Sequence, residues 1–427
     1  MKKNILVFPC GSEIALEIYR SLKHSTHFNL IGANSVDDHG KFVFSSYIEN
    51  IPFITDPDFI PTIKEVVQDY TIDAIYPATD AVITLLKRQE KYINCKVISS
   101  TLETVEICLS KRKTYEKLKN AVRVPQLFKE TENLSYPVFG KPDNGYGSRG
   151  VKKIESKNML DEYIAITPTA LLCEYLSGEE YTVDCFTDRH GCLLFHAPRL
   201  RKRIMNGISV NTIPYYENDN EITKIVQKIN SVIQFRGAWF VQLKRNDKGE
   251  LVLLEIAARL GGSSSLFRGK GVNFAQLTLF DAFDKDVTIQ TNDYNLELDR
   301  ALDNIFRIDI KYTEVFCDFD DCMIIEGKYV NSELIAFLYQ CFNHKIKLTL
   351  LTRHSKNIQQ SLNTFRLDTI FDRIIHLPEN EKKSDYIDNI NAIFIDDSFT
   401  ERQDVYNNKK IPVFGLDMIS NLHPFSL

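Results

Sequence analysis

YPVFGKPDNGYGSRGV (136–151) carries an apolar strand into Lys141 and then into a loop holding Gly145, Gly147 and Gly150. Glycine removes side-chain bulk and tolerates positive φ, so such a loop brings backbone N–H groups within reach of phosphate oxygens. Lys141 adds a point charge, and Arg149 supplies a second cation on the same lid. The same residues would also suit a plain glycine-rich hairpin with an exposed lysine. The neighbouring sequence weighs between the two.

On the N-terminal side, residues 1–105 alternate strand and helix patterns. Asn4–Phe8, Phe28–Gly32 and Ala74–Tyr76 read as strands; Ile14 to Leu22, Ile63–Gln68 and Ala81–Lys87 have helical spacing. This rhythm predicts a parallel sheet with helices on both faces, a Rossmann-like domain. FPCGSEIAL lacks GxGxxG, so no dinucleotide site is expected there. Leu109–Leu118 reads as one helix. From about 121 to 260 the apolar residues alternate as in antiparallel sheets: Leu171–Glu174, Tyr181–Phe186, Leu193–His196, Trp239–Lys244 and Leu251–Ala257, with a helix over Glu221–Ile233. Short apolar strands alternating with helices return near residue 312. The expected fold class is α/β and α+β multidomain, with domains over 1–105, 106–311 and 312–427.

Composition bounds the function. With 427 residues, 44% hydrophobic and 26% charged, the chain can bury ordinary cores. A net charge of −5 and no sustained basic face argue against nucleic acid. Arg199, Arg201, Lys202 and Arg203 form one local basic run, which suits either a solvated β-turn or a segment closing over an anionic substrate. Nine scattered cysteines without a CxxC pair read as buried thiols of a reducing cytosol. No apolar run approaches the roughly 20 residues of a membrane span. The expectation is a cytoplasmic protein with no membrane partner; homo-oligomerisation is left open.

Further pieces fall in an order that fits one nucleotide. Lys111 in SKRK (110–113) can point at phosphates; Glu174, Tyr175 and Leu176 end a strand as a hinge for adenine; Glu180 can accept from ribose hydroxyls. Gln242 and Glu255 lie on two strands separated by the turn NDKG (246–249), and cross-strand neighbours can share one cation. Such oxygen ligands suit Mg²⁺. Singly, Glu180 is as well explained by surface charge and Gln242 by a half-buried strand position.

The segments SKRKTYEKL, YPVFGKPDNGYGSRGV, LLCEYLSGEEYTVD and VQLKRNDKGELVLLEIAARLGGSS resemble an ATP-grasp ligase of the carbamoyl-phosphate synthetase-like group, and residues 1–105 are similar to the domain preceding the grasp. The resemblance covers about 310 residues. It implies an ATP-grasp fold with two antiparallel-sheet lobes, and phosphates held by Lys111, Lys141 and the loop at Gly145 and Gly147. Adenine would lie at Glu174–Leu176, ribose at Glu180, Mg²⁺ (Mn²⁺ as a substitute ion) at Gln242 and Glu255, and Arg259 would steady the transferred phosphoryl group. The implied activity joins a carboxylate to an amine or similar nucleophile through an acyl phosphate. Ala257 stands where many relatives have Asn, which leaves a second Mg²⁺ to Glu255 and phosphates alone, or absent. A kinase ending at a phosphorylated product and a nucleotide-binding protein with vestigial sites are the alternatives.

Residues 314–427 hold a second constellation. EVFCDFDDC ends an apolar run at Asp318 and Asp320, IKLTLLTRH ends one at Thr352, and AIFIDDS ends one at Asp396 and Asp397; Lys382 or Lys383 lies at a helix start between them. Carboxylates brought together repel unless a cation and a lysine offset them. The pattern resembles the haloacid dehalogenase (HAD) phosphatase superfamily in a capless, Rossmannoid form. It implies Asp318 as nucleophile, Asp320 as general acid/base, Thr352 and Lys383 as phosphoryl-orienting groups, and Mg²⁺ on Asp318, Asp320 and Asp396, with Asp397 as a supporting ligand. The substrate would be a phosphorylated metabolite. Asp321 and Cys322 depart from the usual pattern.

Overall fold

The computed structural model describes residues 2–23, 25–129, 131–145, 149–205, 207–217, 219–292, 295–300 and 310–422. Gly147 lies outside these residues. The chain divides into two compact units, Met1–Leu302 and Asp303–Ser426.

The first unit opens with a parallel sheet of β1 (Lys3–Phe8), β2 (Phe28–Ala33), β3 (Ser46–Ile48), β4 (Ala74–Pro77) and β5 (Lys96–Val97), in the order β3-β2-β1-β4-β5. Ile5, Leu6 and Val7 are all fully buried, because helices cover both faces of such a sheet and no strand position is left to water. The helix Glu13–Leu22 starts where the Ser12 hydroxyl accepts from Ala15 N, and it buries Ile14, Ala15, Ile18 and Leu22 along one stripe.

The single helix expected over Leu109–Leu118 is in fact two, Leu102–Leu109 and Lys111–Leu118. Ser110 separates them in an extended conformation, and its hydroxyl caps Lys113 N. A serine hydroxyl competes with the helical backbone, which ends one helix and starts the next.

Two antiparallel sheets come next. The smaller is ordered β6-β9-β7-β8, from β6 (Leu127–Phe128), β7 (Val138–Lys141), β8 (Lys152–Ile154) and β9 (Leu171–Glu174). The larger is ordered β14-β13-β10-β11-β12-β15, from β10 (Glu180–Thr187), β11 (Leu193–Met205), β12 (Ile208–Pro214), β13 (Gly237–Arg245), β14 (Leu251–Ala257) and β15 (Leu298–Asp299). The alternation along β10 sorts its faces. Tyr181, Val183 and Cys185 join Trp239, Val241 and the helix residues Ile222, Val226 and Ile229 in one core, while Glu180, Thr182 and Asp184 occupy the other face.

The basic run divides in two. β11 continues through it to Met205 with register shifts around Arg203; carboxylates on β10 compensate Arg199 and Arg201, while Lys202 and Arg203 are exposed and pair with Glu297 and Asp299. Arg199 is 3% exposed, and its Nε donates to Asp184 Oδ2 at 2.6 Å; Arg201 pairs with Glu180. Residues 1–105 also share a core with the larger antiparallel sheet and the helical segment after it. Ile5, Val7, Ile14 and Ile18 cluster with Phe186, Ala238, Leu260, Phe267 and Leu279.

The second unit is a parallel sheet ordered β20-β19-β16-β21-β22, with β16 (Glu314–Cys317), β19 (Lys347–Thr352), β20 (Arg373–His376), β21 (Ala392–Ile395) and β22 (Val413–Phe414). A small hairpin, β17 (Ile324–Ile325) and β18 (Tyr329–Val330), comes after β16. The chain fills one side of β16 and then the other, so the crevice of the switch point opens at the C-terminal ends of β16, β19 and β21.

Candidate functional site

In the first unit, one cleft is lined by Lys111, Lys141, Gly145, Arg149, Glu174, Tyr175, Leu176, Glu180, Gln242 and Glu255. They come from both antiparallel sheets and from the helix after Ser110. Phe139, Cys173 and Leu254 complete the wall near Tyr175 and Leu176, giving that end an apolar lining that suits a flat ring.

Lys141 ends β7 and is 4% exposed. Its Nζ donates to Tyr115 Oη at 2.5 Å and lies 5.0 Å from that ring's centroid. Tyr115 Oη in turn donates to Leu254 O at 2.5 Å. Among the described residues no carboxylate lies within 4.0 Å of the Lys141 ammonium. Burial pushes its pKa below the ordinary lysine value. A buried cation with no carboxylate at ion-pair distance favours an anionic ligand over none.

Lys111 Nζ lies 4.0 Å from Glu255 Oε2 and 3.4 Å from Gly145 O. Asp143 ties the glycine loop to the helix start: it accepts from Ser110 Oγ at 2.8 Å and from Arg112 N at 2.7 Å. Gln242 and Glu255 are direct cross-strand partners of β13 and β14, so their side chains project from one face. Glu174 Oε1 is engaged by Gln126 N at 2.9 Å and by Arg123. Glu180 is shared by Arg201 and Lys244.

Arg259 does not line the cleft. Its guanidinium forks onto Asp80, with Nε–Oδ1 3.0 Å and Nη2–Oδ2 2.8 Å, and lies over the Phe240 ring. Arg201, from the basic run, lines the cleft, as does Lys244, and Tyr115 supports it through Lys141; sequence patterning singles out neither Lys244 nor Tyr115. SKRKTYEKL contains Tyr115 in plain view, yet nothing in its spacing says that the hydroxyl reaches Lys141.

In the second unit, Lys383 begins a short 3-10 turn and is 3% exposed. Its Nζ lies 2.6 Å from Asp396 Oδ2 and 2.9 Å from Asp318 Oδ1. Asp318, Asp396 and Asp397 bring carboxylate oxygens within 4.8 Å of one another. The Asp320 side chain is not in that group; it contacts His354 Nδ1 at 2.8 Å, and His354 Nε2 meets Ser361 Oγ at 2.8 Å. Burial raises the Asp396 carboxyl to about 6 despite Lys383, with Asp318 adding repulsion. Thr352 Oγ1 is buried without a hydrogen-bond partner. Buried acids in excess of cations, beside an orphan hydroxyl, fit a site for a divalent ion and an anionic group. His354, which ends the motif TRH, is likewise not marked out by sequence patterning.

Comparison with known proteins places the first unit. Residues 167–300 match the family model described as ATP-grasp in the biosynthetic pathway with Ter operon. No curated protein matches the chain. Among solved structures, the chain is similar to the biotin carboxylase domain of 2-oxoglutarate carboxylase from Hydrogenobacter thermophilus, solved with MgADP, ADP and bicarbonate (TM-score 0.59, 17% identity, 68% of this chain and 73% of that one). It is similar to an L-amino acid ligase from Bacillus licheniformis (TM-score 0.55, 18% identity, 66% and 74%). A third likeness is to N5-carboxyaminoimidazole synthetase from Staphylococcus aureus in complex with ADP (TM-score 0.57, 17% identity, 68% and 81%). The fold of this part of the chain is that of ATP-grasp proteins.

Proposed function

We propose that the first unit is an ATP-dependent, ADP-forming ligase that activates a carboxylate as an acyl phosphate and passes it to an amine or similar nucleophile. The observation that carries this reading is the convergence of Lys111, Lys141, the hinge at Glu174–Leu176, Glu180, Gln242 and Glu255 on one cleft. MgADP in one structural neighbour, and ligation of amino acids in the name of another, support it. Adenine would lie against the apolar wall at Tyr175 and Leu176, with ribose at Glu180. Gln242 and Glu255 would hold Mg²⁺, or Mn²⁺ in its place, which supplies charge neutralisation at the phosphates. Lys141 and Lys111 meet the charge that builds on the transferred group, and the loop at Gly145 covers it. The domains are assigned to 1–105, 106–311 and 312–427, and the working compartment to the cytoplasm.

For the second unit the reading is a HAD-type phosphatase of a small metabolite. Asp318 attacks phosphorus, and Asp320, held by His354, donates a proton to the departing oxygen. Water then releases phosphate from the aspartyl phosphate with Asp320 as base. Thr352 Oγ1 and Lys383 orient the phosphoryl oxygens, and Asp318, Asp396 and Asp397 are the carboxylates that would hold Mg²⁺.

The test is ADP release with pooled carboxylic acids and amines. Lys141→Ala is expected to abolish it, and Asp318→Asn to spare it while removing phosphatase turnover. ADP release by Lys141→Ala equal to wild type would refute the assignment of the cleft.

A further inference from the structure

The cleft face of the large sheet continues past the nucleotide residues into a buried group that ATP binding alone leaves idle. The register places Glu255, Gln242, Thr182 and Arg199 in one row across β14, β13, β10 and β11. Asp184 lies one row further along, beside Phe240. Adjacent strands are about 4.8 Å apart and same-face positions on a strand about 6.7 Å. The Arg199–Asp184 pair therefore sits about two strands from Gln242, on the same face.

Arg199, Asp184 and Thr182 are 3%, 2% and 1% exposed. One hydrogen bond joins Arg199 Nε to Asp184 Oδ2 at 2.6 Å. The remaining atoms Arg199 Nη1, Asp184 Oδ1 and Thr182 Oγ1 are buried with no hydrogen-bond partner. Orphaned polar atoms at this depth cost about 1–3 kcal/mol each, more when charged, and these three occupy neighbouring positions on the face that carries Gln242 and Glu255. Gly261 passes directly over the pair: a Cβ there would lie 3.2 Å from Asp184 Oδ1 and 3.3 Å from Arg199 Nη2.

The chemistry of the three atoms defines what satisfies them. Arg199 Nη1 needs an acceptor, Asp184 Oδ1 needs a donor, and Thr182 Oγ1 serves as either. A plain carboxylic acid meets the arginine but places like charge beside Asp184; a plain amine has the opposite fault. We propose that this group recognises a zwitterion, an α-amino acid, as the substrate whose carboxylate is activated. The carboxylate falls to Arg199, in the row of Gln242 and Glu255, and the ammonium falls to Asp184, one row further from the phosphates. The inference rests on the ligase reading for the reaction, but not for binding.

The experiment titrates the full chain, with Mg²⁺ and a non-hydrolysable ATP analogue present, against pooled L-amino acids and against their des-amino acids. ADP release is recorded in parallel with ATP. The amino-acid pool is expected to bind at least about tenfold more tightly than the des-amino pool, the value of one hydrogen bond to a charged group. Asp184→Asn is expected to erase that preference while retaining nucleotide binding. Thr182→Val, which removes an orphan hydroxyl, is expected to weaken amino-acid binding without lowering the melting temperature of the free protein. Equal binding of the two pools, no binding of either, or an Asp184→Asn protein with the preference intact overturns the inference. Amino-acid binding without ADP release keeps the inference and ends the ligase reading; ADP release driven equally by both pools does the reverse.

Discussion

Replacing Lys141 with methionine separates two effects that ordinarily run together. The ammonium is 4% exposed and is held by a neutral phenol and its ring rather than by a carboxylate. Desolvating such a charge costs several kcal/mol, of which the hydrogen bond and the cation–π contact return about 2–3 kcal/mol. Methionine fills a similar volume without charge, and Tyr115 keeps its bond to Leu254 O. The empty Lys141→Met protein is therefore expected to be more stable at neutral pH by about 1–3 kcal/mol, within the range seen when buried ions give way to apolar groups. The same change would remove the charge-assisted contact to phosphate proposed for Lys141, worth about 1.5–3 kcal/mol, or about 10- to 150-fold in affinity. Calorimetric melting and titration with a non-hydrolysable ATP analogue read the two quantities separately. The pH dependence has a definite sign. Burial lowers the folded-state pKa, so the wild-type penalty is complete below that value. It is relieved as pH rises toward the unfolded value of about 10.4. The stability gap between variant and wild type should close over that interval. A less stable variant that binds nucleotide as tightly as wild type would refute the account of a lysine stored for an incoming anion.

The same geometry sets other outcomes. Glu255→Gln should weaken the Mg²⁺ dependence of nucleotide binding by about tenfold or more, checked by titration with and without the ion, while leaving intact the phosphatase turnover proposed for the second unit. Asp396 has its carboxyl raised to about 6 by burial, so its contribution to stability is complete below its unfolded value near 3.9 and is lost as pH rises through about 6. Melting of the chelator-treated protein should show that loss in the transition of the second unit, and Asp396→Asn should flatten it. Arg259→Ala should cost about 2–4 kcal/mol by stranding Asp80, measured by denaturant unfolding, with nucleotide affinity changed less than threefold.

Local periodicity makes the sheets legible, and long-range pairing hides the rest. Gln242 and Glu255 can be matched because each strand alternates with period two and NDKG marks the turn between them; the register pairs them directly. Sequence alone ends β11 at His196, because Pro198 and the basic residues after it resemble a loop. Its continuation depends on Asp184 and Glu180, which become neighbours only once β10 has paired. Arg259 shows the same limit, since its partner Asp80 is 179 residues away. In the second unit, strand ends announce Asp318, Thr352 and Asp396. The strand end that announces Asp396 also offers Asp397, which joins the acid group; no local signal indicates that the Asp320 carboxylate turns to His354.

The core that joins Ile5, Val7 and Ile18 to Ala238, Leu260 and Leu279 bears on how this chain can be altered. Its opening hundred residues are not a detachable cassette. A chimera that swaps them for those of a relative inherits a mismatched surface of large apolar side chains, and truncation at residue 106 bares that surface to water. Recombination tolerates only junctions that exchange both halves of the buried seam together.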